Sequence, residues 1–259
     1  MKITAIGEIL IDMTQTHIEN GIPHFAANPG GAPANVAVAA ARLGAESAFI
    51  GCVGDDLYGR LLRDTLRQNG VSADGLQVTR KANTTLAIVM VDGKGERSFS
   101  FYRKPGADTL IDAEQAVADL GNTGILHFGS VSLTDPACRE AVVTVIRAAK
   151  EAGALITYDP NYRAALWDSE ETAAEQMRAV LPLCDIVKIS DEETMLLCGE
   201  REPAAALERL TELGVRVAVG TLGAHGAMWR CDGRQGTVPG FAVKVADTGG
   251  FTTPSVWFD

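Results

Sequence analysis

Strand-like and helix-like segments alternate along most of the chain. Apolar runs typical of buried strands occur at 3–11, 48–53, 125–131, 155–159, 186–190 and 216–221. Segments with the helical spacing of apolar residues lie between them, at 33–43, 56–69, 135–152, 170–181 and 203–213. In 56–69, for example, Leu62 and Leu66 share one face and Gly70 follows as a stop. Because such alternation is typical of a parallel sheet covered by helices, the predicted fold class is α/β.

One predicted hairpin departs from this scheme. The segments 84–91 and 97–103 have strand patterns, and the turn sequence Asp92-Gly93-Lys94-Gly95 separates them. The strands of a hairpin are antiparallel, so we expect this one to leave the main sheet and pair with the strand-like segment 14–25. The prediction is a small β-sheet lid formed by about 13–27 and 84–104, on a single domain that comprises 1–259.

Composition and charge exclude several classes of protein. The 259 residues are 46% hydrophobic and 22% charged, as in an ordinary globular protein, which excludes disorder and collagen-like order. Acidic and basic residues interrupt every apolar run before the roughly 18 residues that a membrane span needs, and the first residues lack a signal-peptide pattern. The net charge of −10 disfavours nucleic acid and anionic membranes as partners. Because the cysteines also indicate no disulfide framework, the expected location is the cytoplasm.

The spacing of the cysteines and histidines along the sequence does not indicate a metal site. The five cysteines are odd in number and form no Cys-x-x-Cys pair, so neither a disulfide framework nor a zinc site is indicated. The four histidines also lack the spacing of metal ligands, and we expect them to be solvated or packed: His17, His24, His127 and His225.

Candidate binding residues follow the predicted strands, at the edge of a parallel sheet where ligands bind. The loop 28–35, Asn-Pro-Gly-Gly-Ala-Pro-Ala-Asn, has two glycines that let backbone amides approach a ligand. Its Asn35 can donate to and accept from sugar hydroxyls. A turn leading into a closely packed helix explains the same residues equally well, and both interpretations stay open at this point.

Two further segments carry the same ambiguity. Thr221 to Gly226 follows a strand and offers a hydroxyl and a flexible backbone to a phosphate, but it is also a simple turn. Glu192 and Glu193 follow Ser190 and either hold magnesium through water or complement a helix dipole. The P-loop and dinucleotide-binding fingerprints are absent from the sequence.

Taken together, the ordered motifs resemble the ribokinase-like, pfkB-type sugar kinases, and bacterial fructokinases most of all. The motifs are Gly-Glu-Ile-Leu-Ile-Asp at 7–12, the loop at 28–37, Gly-Asp-Asp at 54–56, Phe-Tyr-Arg at 101–103, Asp-Pro-Asn-Tyr-Arg at 159–163 and Thr-Leu-Gly at 221–223. The resemblance implies a three-layer α/β/α domain with a mostly parallel central sheet and a β-sheet lid. It also implies ATP-dependent transfer of a phosphoryl group to a sugar hydroxyl, with D-fructose as the expected sugar.

The resemblance assigns roles to individual residues. Asp12, Gly31 and Asn35 would hold sugar hydroxyls, and Arg103 and Arg163 would lie near the sugar or the incoming phosphate. The residues that would line the nucleotide are Ser190, Thr221, Gly223 and Gly226. Glu193 matches the acid of the family's magnesium motif, although Ser190 stands where that motif has asparagine, and Asp247 would belong to a loop for a monovalent cation such as K⁺. ATP, Mg²⁺ and a small sugar are thus the implied ligands. Separately, the aromatic residues of the lid face predict a homodimer through the lid: Phe99, Phe101 and Tyr102.

The segment 247–259 departs from the family pattern. Relatives continue as Asp-Thr-Thr-Gly-Ala-Gly-Asp, whose last aspartate acts as the base, whereas here Thr253 occupies that position. A threonine hydroxyl is no general base near neutral pH, so no catalytic residue is identified and slow turnover is expected. The codons of Thr252 to Ser255 are compatible with Asp-Ala-Phe in a shifted frame, which suggests a frameshifted or incomplete end. Alternatives are another pfkB-type sugar kinase, such as one for 2-keto-3-deoxygluconate, a sugar-binding protein without turnover, and a fragment that is misfolded or stabilised by a dimer.

Overall fold

The computed structural model describes residues 1–91 and 97–242, and its strands form two sheets. The strands are β1 (Lys2–Ile6), β2 (Leu10–Glu19), β3 (Ile22–Gly30), β4 (Glu46–Gly54), β5 (Val71–Ser72), β6 (Leu76–Thr79), β7 (Leu86–Val91), β8 (Arg97–Tyr102), β9 (Thr123–Gly129), β10 (Leu155–Asp159), β11 (Ile186–Ser190), β12 (Val217–Thr221), β13 (Ala227–Cys231) and β14 (Arg234–Val238). The larger sheet has the order β14-β13-β12-β11-β10-β9-β1-β4-β5, and β6 also pairs with β4. From β12 to β5 its neighbours are parallel, while β13 and β14 are antiparallel.

Four of the seven α-helices that the structure describes begin after a side chain that caps their first turn. The seven are α1 (Ala32–Arg42), α2 (Leu57–Gln68), α3 (Ala113–Ala118), α4 (Pro136–Glu151), α5 (Glu170–Ala179), α6 (Glu193–Cys198) and α7 (Pro203–Glu212). The side chains of Asp56, Asp112, Asp135 and Ser169 each accept a hydrogen bond from the N–H group three residues later. These bonds satisfy N–H groups that have no partner inside the first helical turn, which is why these four helices start there.

Two hydrophobic clusters cover opposite faces of the larger sheet. Successive side chains of a strand point to opposite faces, so Ala5 and Phe49 pack with α1 and α2, whereas Ile6 and Ile50 pack in the cluster that includes α4 and α7. Every one of these four side chains is at most 1% exposed. The resulting three layers match the predicted α/β/α architecture.

The second sheet is the lid, with the order β3-β2-β7-β8. A tight turn at Asn20 and Gly21, both with positive φ, joins β2 to β3. The predicted segment 14–25 is therefore two antiparallel strands and not one. The second hairpin, β7 and β8, is antiparallel as predicted, and β7 joins the first hairpin through a parallel pairing with β2.

Most predicted elements are confirmed with small shifts at their ends, and the α/β fold class with a lid is confirmed. One prediction was wrong: the run 3–11 is not a single strand, because β1 ends at Ile6 and β2 begins at Leu10 in the other sheet. Gly7 makes the change of direction with φ 145°. The structure adds elements that were not predicted, among them α3 and the hairpin of β13 and β14. In the part of the chain that the structure describes, we find no helix long and apolar enough to cross a membrane.

Candidate active site

Asp12 lies on the lid strand β2, next to the end of β3. Burial raises the pKa of its carboxyl group to about 6, and the positive charge of Arg163 opposes the shift. The register pairs Asp12 with Asn28, and a β-carbon on Gly30 would overlap the Asp12 carboxylate. Because Gly30 has no side chain, there is room for the carboxylate of Asp12. This carboxylate is partly shielded from water and interacts with the positive charge of Arg163.

Gly31 connects the lid to helix α1 at a point where no side chain fits. Its φ is 109°, and a β-carbon would lie 2.5 Å from the carbonyl oxygen of Glu8. The Oε1 atom of Glu8 accepts a hydrogen bond of 3.1 Å from the N–H of Ala32, the first residue of α1. The two glycines of the predicted binding loop therefore serve packing as well, since the backbone approaches Asp12 and Glu8 closely there.

Asn35 lies on the first turn of α1. The N–H of Asn35 donates to the carbonyl oxygen of Gly31 at 2.9 Å, as the helix requires. Its side-chain oxygen Oδ1 is buried and has no hydrogen-bond partner among the described residues. Buried polar atoms are nearly always paired, so an unpaired acceptor here fits a ligand that brings a hydroxyl donor.

The two predicted arginines occupy different environments. Arg163 is exposed, donates to the carbonyl oxygen of Tyr162 at 3.0 Å, and its charge acts on both Asp12 and Asp159. Arg103 is buried at 8% exposure, and the charges that act on it include those of Asp108 and Glu8. The structure thus brings Arg163 to the predicted site, while the guanidinium of Arg103 lies in a network of its own.

That network holds all three guanidinium nitrogens of Arg103. Its Nε forms an ion pair with Asp108 Oδ2 at 2.7 Å, Nη1 donates to Thr134 Oγ1 at 2.6 Å, and Nη2 donates to the carbonyl oxygen of Val131 at 3.1 Å. Asp108 also accepts a hydrogen bond from the hydroxyl of Thr85. The end of β8 is therefore fixed to the segment that follows β9.

Glu193 links the ends of two parallel strands. One oxygen of its carboxylate accepts from the N–H of Tyr162 at 2.7 Å, and the other accepts from the N–H of Ser190 at 2.9 Å. Glu193 is 6% exposed, whereas the neighbouring Glu192 is exposed. This distinguishes the two acids that the sequence left equivalent, because only Glu193 faces the loop that carries Arg163.

Asp159 adds a second buried carboxylate beside Glu193. Burial raises the pKa of Asp159 to about 6; the charge of Lys188 lowers it, and that of Glu193 raises it further. The Nζ atom of Lys188 lies 3.2 Å from Asp159 Oδ2. The charge of Glu193 acts on Asp159, and two such buried carboxylates favour a cation between them, so this donor set fits a magnesium ion held through water.

The segment predicted to line the nucleotide forms a closed turn between β12 and β13. Thr221 pairs with Ser190 in the sheet register, and its carbonyl oxygen accepts from the N–H of Asp191 at 3.1 Å. Gly223 and Gly226 have φ values of 54° and 98°. The structure thus places all four predicted nucleotide residues on two adjacent strand ends. Asp247 and Thr253 lie outside the described residues.

Sequence reasoning missed Glu8 as a functional candidate. Glu8 is 3% exposed, and burial raises the pKa of its carboxyl group to about 7. Its Oε2 atom is buried without a hydrogen-bond partner in 1–91 and 97–242, as are the hydroxyls of Ser130 and Ser132. The available signal was an acid inside the apolar run 3–11, at a position where a strand normally buries a hydrophobic side chain.

Comparison with known proteins identifies the family of the chain. The model of the family described as "pfkB family carbohydrate kinase" matches residues 1–250. Fructokinase-2 of Solanum habrochaites is 41% identical over 256 residues, which are 96% of this chain and 77% of the relative.

Two solved structures are similar along nearly the whole chain. The fructokinase of Xylella fastidiosa with bound ATP has a TM-score of 0.88 and 38% identity, and the match covers 95% of this chain and 76% of that one. A double mutant of the Vibrio cholerae O395 fructokinase, bound to fructose, ADP and a potassium ion, has a TM-score of 0.84 and 33% identity, covering 94% and 77%. With the family model matching almost from end to end, this chain belongs to the pfkB family of carbohydrate kinases.

Proposed function

We propose that this chain binds D-fructose and ATP as a fructokinase does. The observation that carries the proposal is the unpaired, buried Oδ1 of Asn35 on α1, in the same glycine-rich loop region that adjoins Asp12. A sugar hydroxyl can donate to Asn35, and the Asp12 carboxylate can accept from a second hydroxyl. Fructokinases among the relatives, one of them with fructose and ADP bound, support this choice of sugar.

The reaction in this proposal is transfer of the γ-phosphoryl group of ATP to a primary hydroxyl of the sugar. A bond forms between the hydroxyl oxygen and the γ-phosphorus, and the bond from that phosphorus to the β–γ bridging oxygen breaks. The hydroxyl proton goes to solvent water, because Thr253 stands at the position of the family's base. Such transfer depends mainly on positioning and on neutralising negative charge. Arg163 supplies a positive charge at this edge of the sheet, and Thr221 to Gly226 offer a hydroxyl and backbone N–H groups to the nucleotide.

Glu193 and Asp159 are the residues that would hold magnesium through water. Magnesium, when bound, neutralises charge on the phosphate oxygens during transfer. Glu193 also fixes Tyr162 and Ser190 through its two hydrogen bonds, so the loop that carries Arg163 keeps its position relative to β11. We assign the monovalent cation to Asp247, on the basis of the family resemblance alone.

A sugar-binding protein with little turnover is the second candidate, because Thr253 occupies the position of the family's aspartate. Deprotonation of the sugar hydroxyl then has no general base at that position. In this case fructose and ATP still bind through Asp12, Asn35 and the nucleotide turn, but phosphoryl transfer is slow.

A single pair of assays separates the candidates. Fructose binding is measured by calorimetry, and ADP release by a coupled assay with fructose or 2-keto-3-deoxygluconate. Both assays use this chain and a variant that continues as Thr-Gly-Ala-Gly-Asp after Thr248, which places the aspartate at position 253. Asp12→Ala in both backgrounds is the control. Fructose binding by both proteins with turnover only in the extended variant supports a fructokinase-type site that lacks its base. A preference for the other sugar, or binding that survives Asp12→Ala, contradicts the assignment of the sugar site.

We also propose that the chain forms a homodimer through the lid. The lid exposes Ile18, Ile22 and Tyr102, each at 62% or more, and exposed apolar side chains favour association. Sedimentation of the parent and of Tyr102→Lys tests this, with Leu57→Lys as a control because Leu57 is an equally exposed apolar residue on α2. A parent that sediments as a monomer at high micromolar concentration contradicts the proposal.

A further inference from the structure

The turn end of the first lid hairpin brings two imidazoles and one carboxylate together. The register places His17 of β2 directly opposite His24 of β3, and Glu19 is two residues beyond His17 on β2. Directly opposite residues share a face of an antiparallel pair, and so do residues two apart on one strand. One ligand atom from each of the three side chains lies within 4.8 Å of the other two.

The three side chains are close enough for coordination and free enough to adjust. The rings of His17 and His24 are stacked with centroids 4.4 Å apart, and His24 Nε2 lies 3.7 Å from Glu19 Oε2. All three residues are exposed. A tetrahedral zinc ion, with ligand bonds of about 2.0–2.2 Å, draws its ligand atoms to roughly 3.4 Å from one another. Rotation of exposed side chains supplies the remaining movement without disturbing a core.

Thr16 contacts the ring nitrogen Nδ1 of His17 and can orient the other nitrogen, Nε2, toward a metal. The Thr16 hydroxyl donates its single proton to the carbonyl oxygen of His24, at 3.2 Å. The same oxygen lies 3.0 Å from His17 Nδ1, and when its proton points to His24 it accepts a hydrogen bond from the Nδ1–H tautomer of His17. The lone pair of the neutral ring is then on Nε2. Metal-binding histidines are commonly oriented in this way, by a hydrogen bond to the other ring nitrogen.

We propose that His17, Glu19 and His24 bind one divalent transition-metal ion, with Zn²⁺ as the best match. Two imidazoles and one carboxylate suit zinc, and water fills the fourth position. The acidic chain, with net charge −10, favours cations at its surface. Asp12 lies five residues away, roughly 17 Å along β2, so the metal site is separate from the candidate active site. The bound ion would clamp the two strands together beside their turn.

Calorimetric titration of ZnCl₂ into the full chain, prepared without a histidine tag, tests the proposal. We expect one site per chain, and His17→Asn, His24→Asn and Glu19→Gln should each weaken binding at least about tenfold. The matched controls are His225→Asn, which removes an exposed histidine elsewhere, and Cys231→Ser, which removes a half-buried thiol that can also bind zinc. Both controls should bind zinc as the parent does.

A positioning role for Thr16 gives a second, independent readout. Thr16→Val keeps all three ligands but removes the hydroxyl that orients His17, so we expect zinc affinity to fall by about tenfold or more. Saturating zinc should also raise the melting temperature of the parent and of the two controls, but not that of the ligand variants. Unchanged zinc affinity in the double variant His17→Asn/His24→Asn, or loss of the site in Cys231→Ser, would overturn the proposal.

Discussion

Arg103 and Asp108 form an ion pair whose side chains are only 7% and 1% exposed, with 2.7 Å between Nε and Oδ2. Removing one partner of a buried pair leaves the other charge uncompensated. We therefore expect Asp108→Asn to lower the free energy of unfolding by about 3–5 kcal/mol. Urea denaturation followed by circular dichroism measures this change.

The matched control is the surface pair of Arg80 and Asp55, which is 2.8 Å apart with side chains 89% and 41% exposed. Water screens such a pair, so Asp55→Asn should change stability by no more than about 1 kcal/mol. Equal effects of the two substitutions would show that burial does not govern the strength of the Arg103 pair.

Gly31→Ala should damage the loop between the lid and α1. The substitution adds the cost of a positive φ and places a β-carbon 2.5 Å from the carbonyl oxygen of Glu8. Gly44→Ala is the control, since Gly44 has φ 88° and open space around it. The control should lose only about 1 kcal/mol of stability, the cost of the backbone conformation alone. Gly31→Ala should lose more and should also lose fructose affinity; a loss equal to that of Gly44→Ala would argue against the close contact.

Glu8→Gln should change how stability depends on pH. The folded-state pKa of Glu8 is raised from 4.5 to about 7, so its contribution is present at acidic pH and is lost as the pH rises through 7. The cost above pH 7 is up to about 3 kcal/mol. The glutamine can still accept from the N–H of Ala32 but does not ionise. Relative to the parent, the variant should therefore gain stability between about pH 4.5 and 8. Parallel stability curves would mean that Glu8 titrates normally.

Fructose affinity should fall below about pH 6, where Asp12 takes up a proton. A hydrogen bond to a charged acceptor is worth more than one to a neutral group, by an amount on the order of 1 kcal/mol. Calorimetry at several pH values should show affinity about fivefold higher for the ionised form. Asp12→Asn should bind more weakly and lose this dependence, which separates Asp12 from Asp159, whose pKa is also raised to about 6.

The sequence pattern predicted the helices whose formation depends on interactions between neighbouring residues. The α2 helix follows from its stripe of leucines, and α4 starts at Pro136 because Asp135 supplies the cap. The candidate site was predictable for a related reason. Parallel strands bring their carboxyl ends to one edge, so the polar residues there, such as Ser190 and Thr221, are brought into register by topology alone.

Long-range pairing was not predictable in the same way. The parallel contact of β2 with β7, and the opposition of His17 and His24, depend on register between segments whose spacing carries no such information. Likewise, the partners of Arg103 come from two separate segments of the chain, the one that contains Asp108 and the one that contains Val131 and Thr134. The apolar run 3–11 indicates that Glu8 is buried, but its contact with the N–H of Ala32 depends on how α1 packs on the sheet.

The position of Asp12 on the lid and of Asn35 on the main domain has a mechanical consequence. Asp12 belongs to the lid sheet. The chain connects this sheet to the larger one where it enters and leaves each of the two lid hairpins, β2–β3 and β7–β8. Asn35 belongs to a helix packed on the larger sheet. A single ligand that bridges both residues resists any motion that separates the two sheets. Occupancy and lid position are then coupled equilibria, and mutations that loosen the lid lower affinity even where they touch no ligand atom.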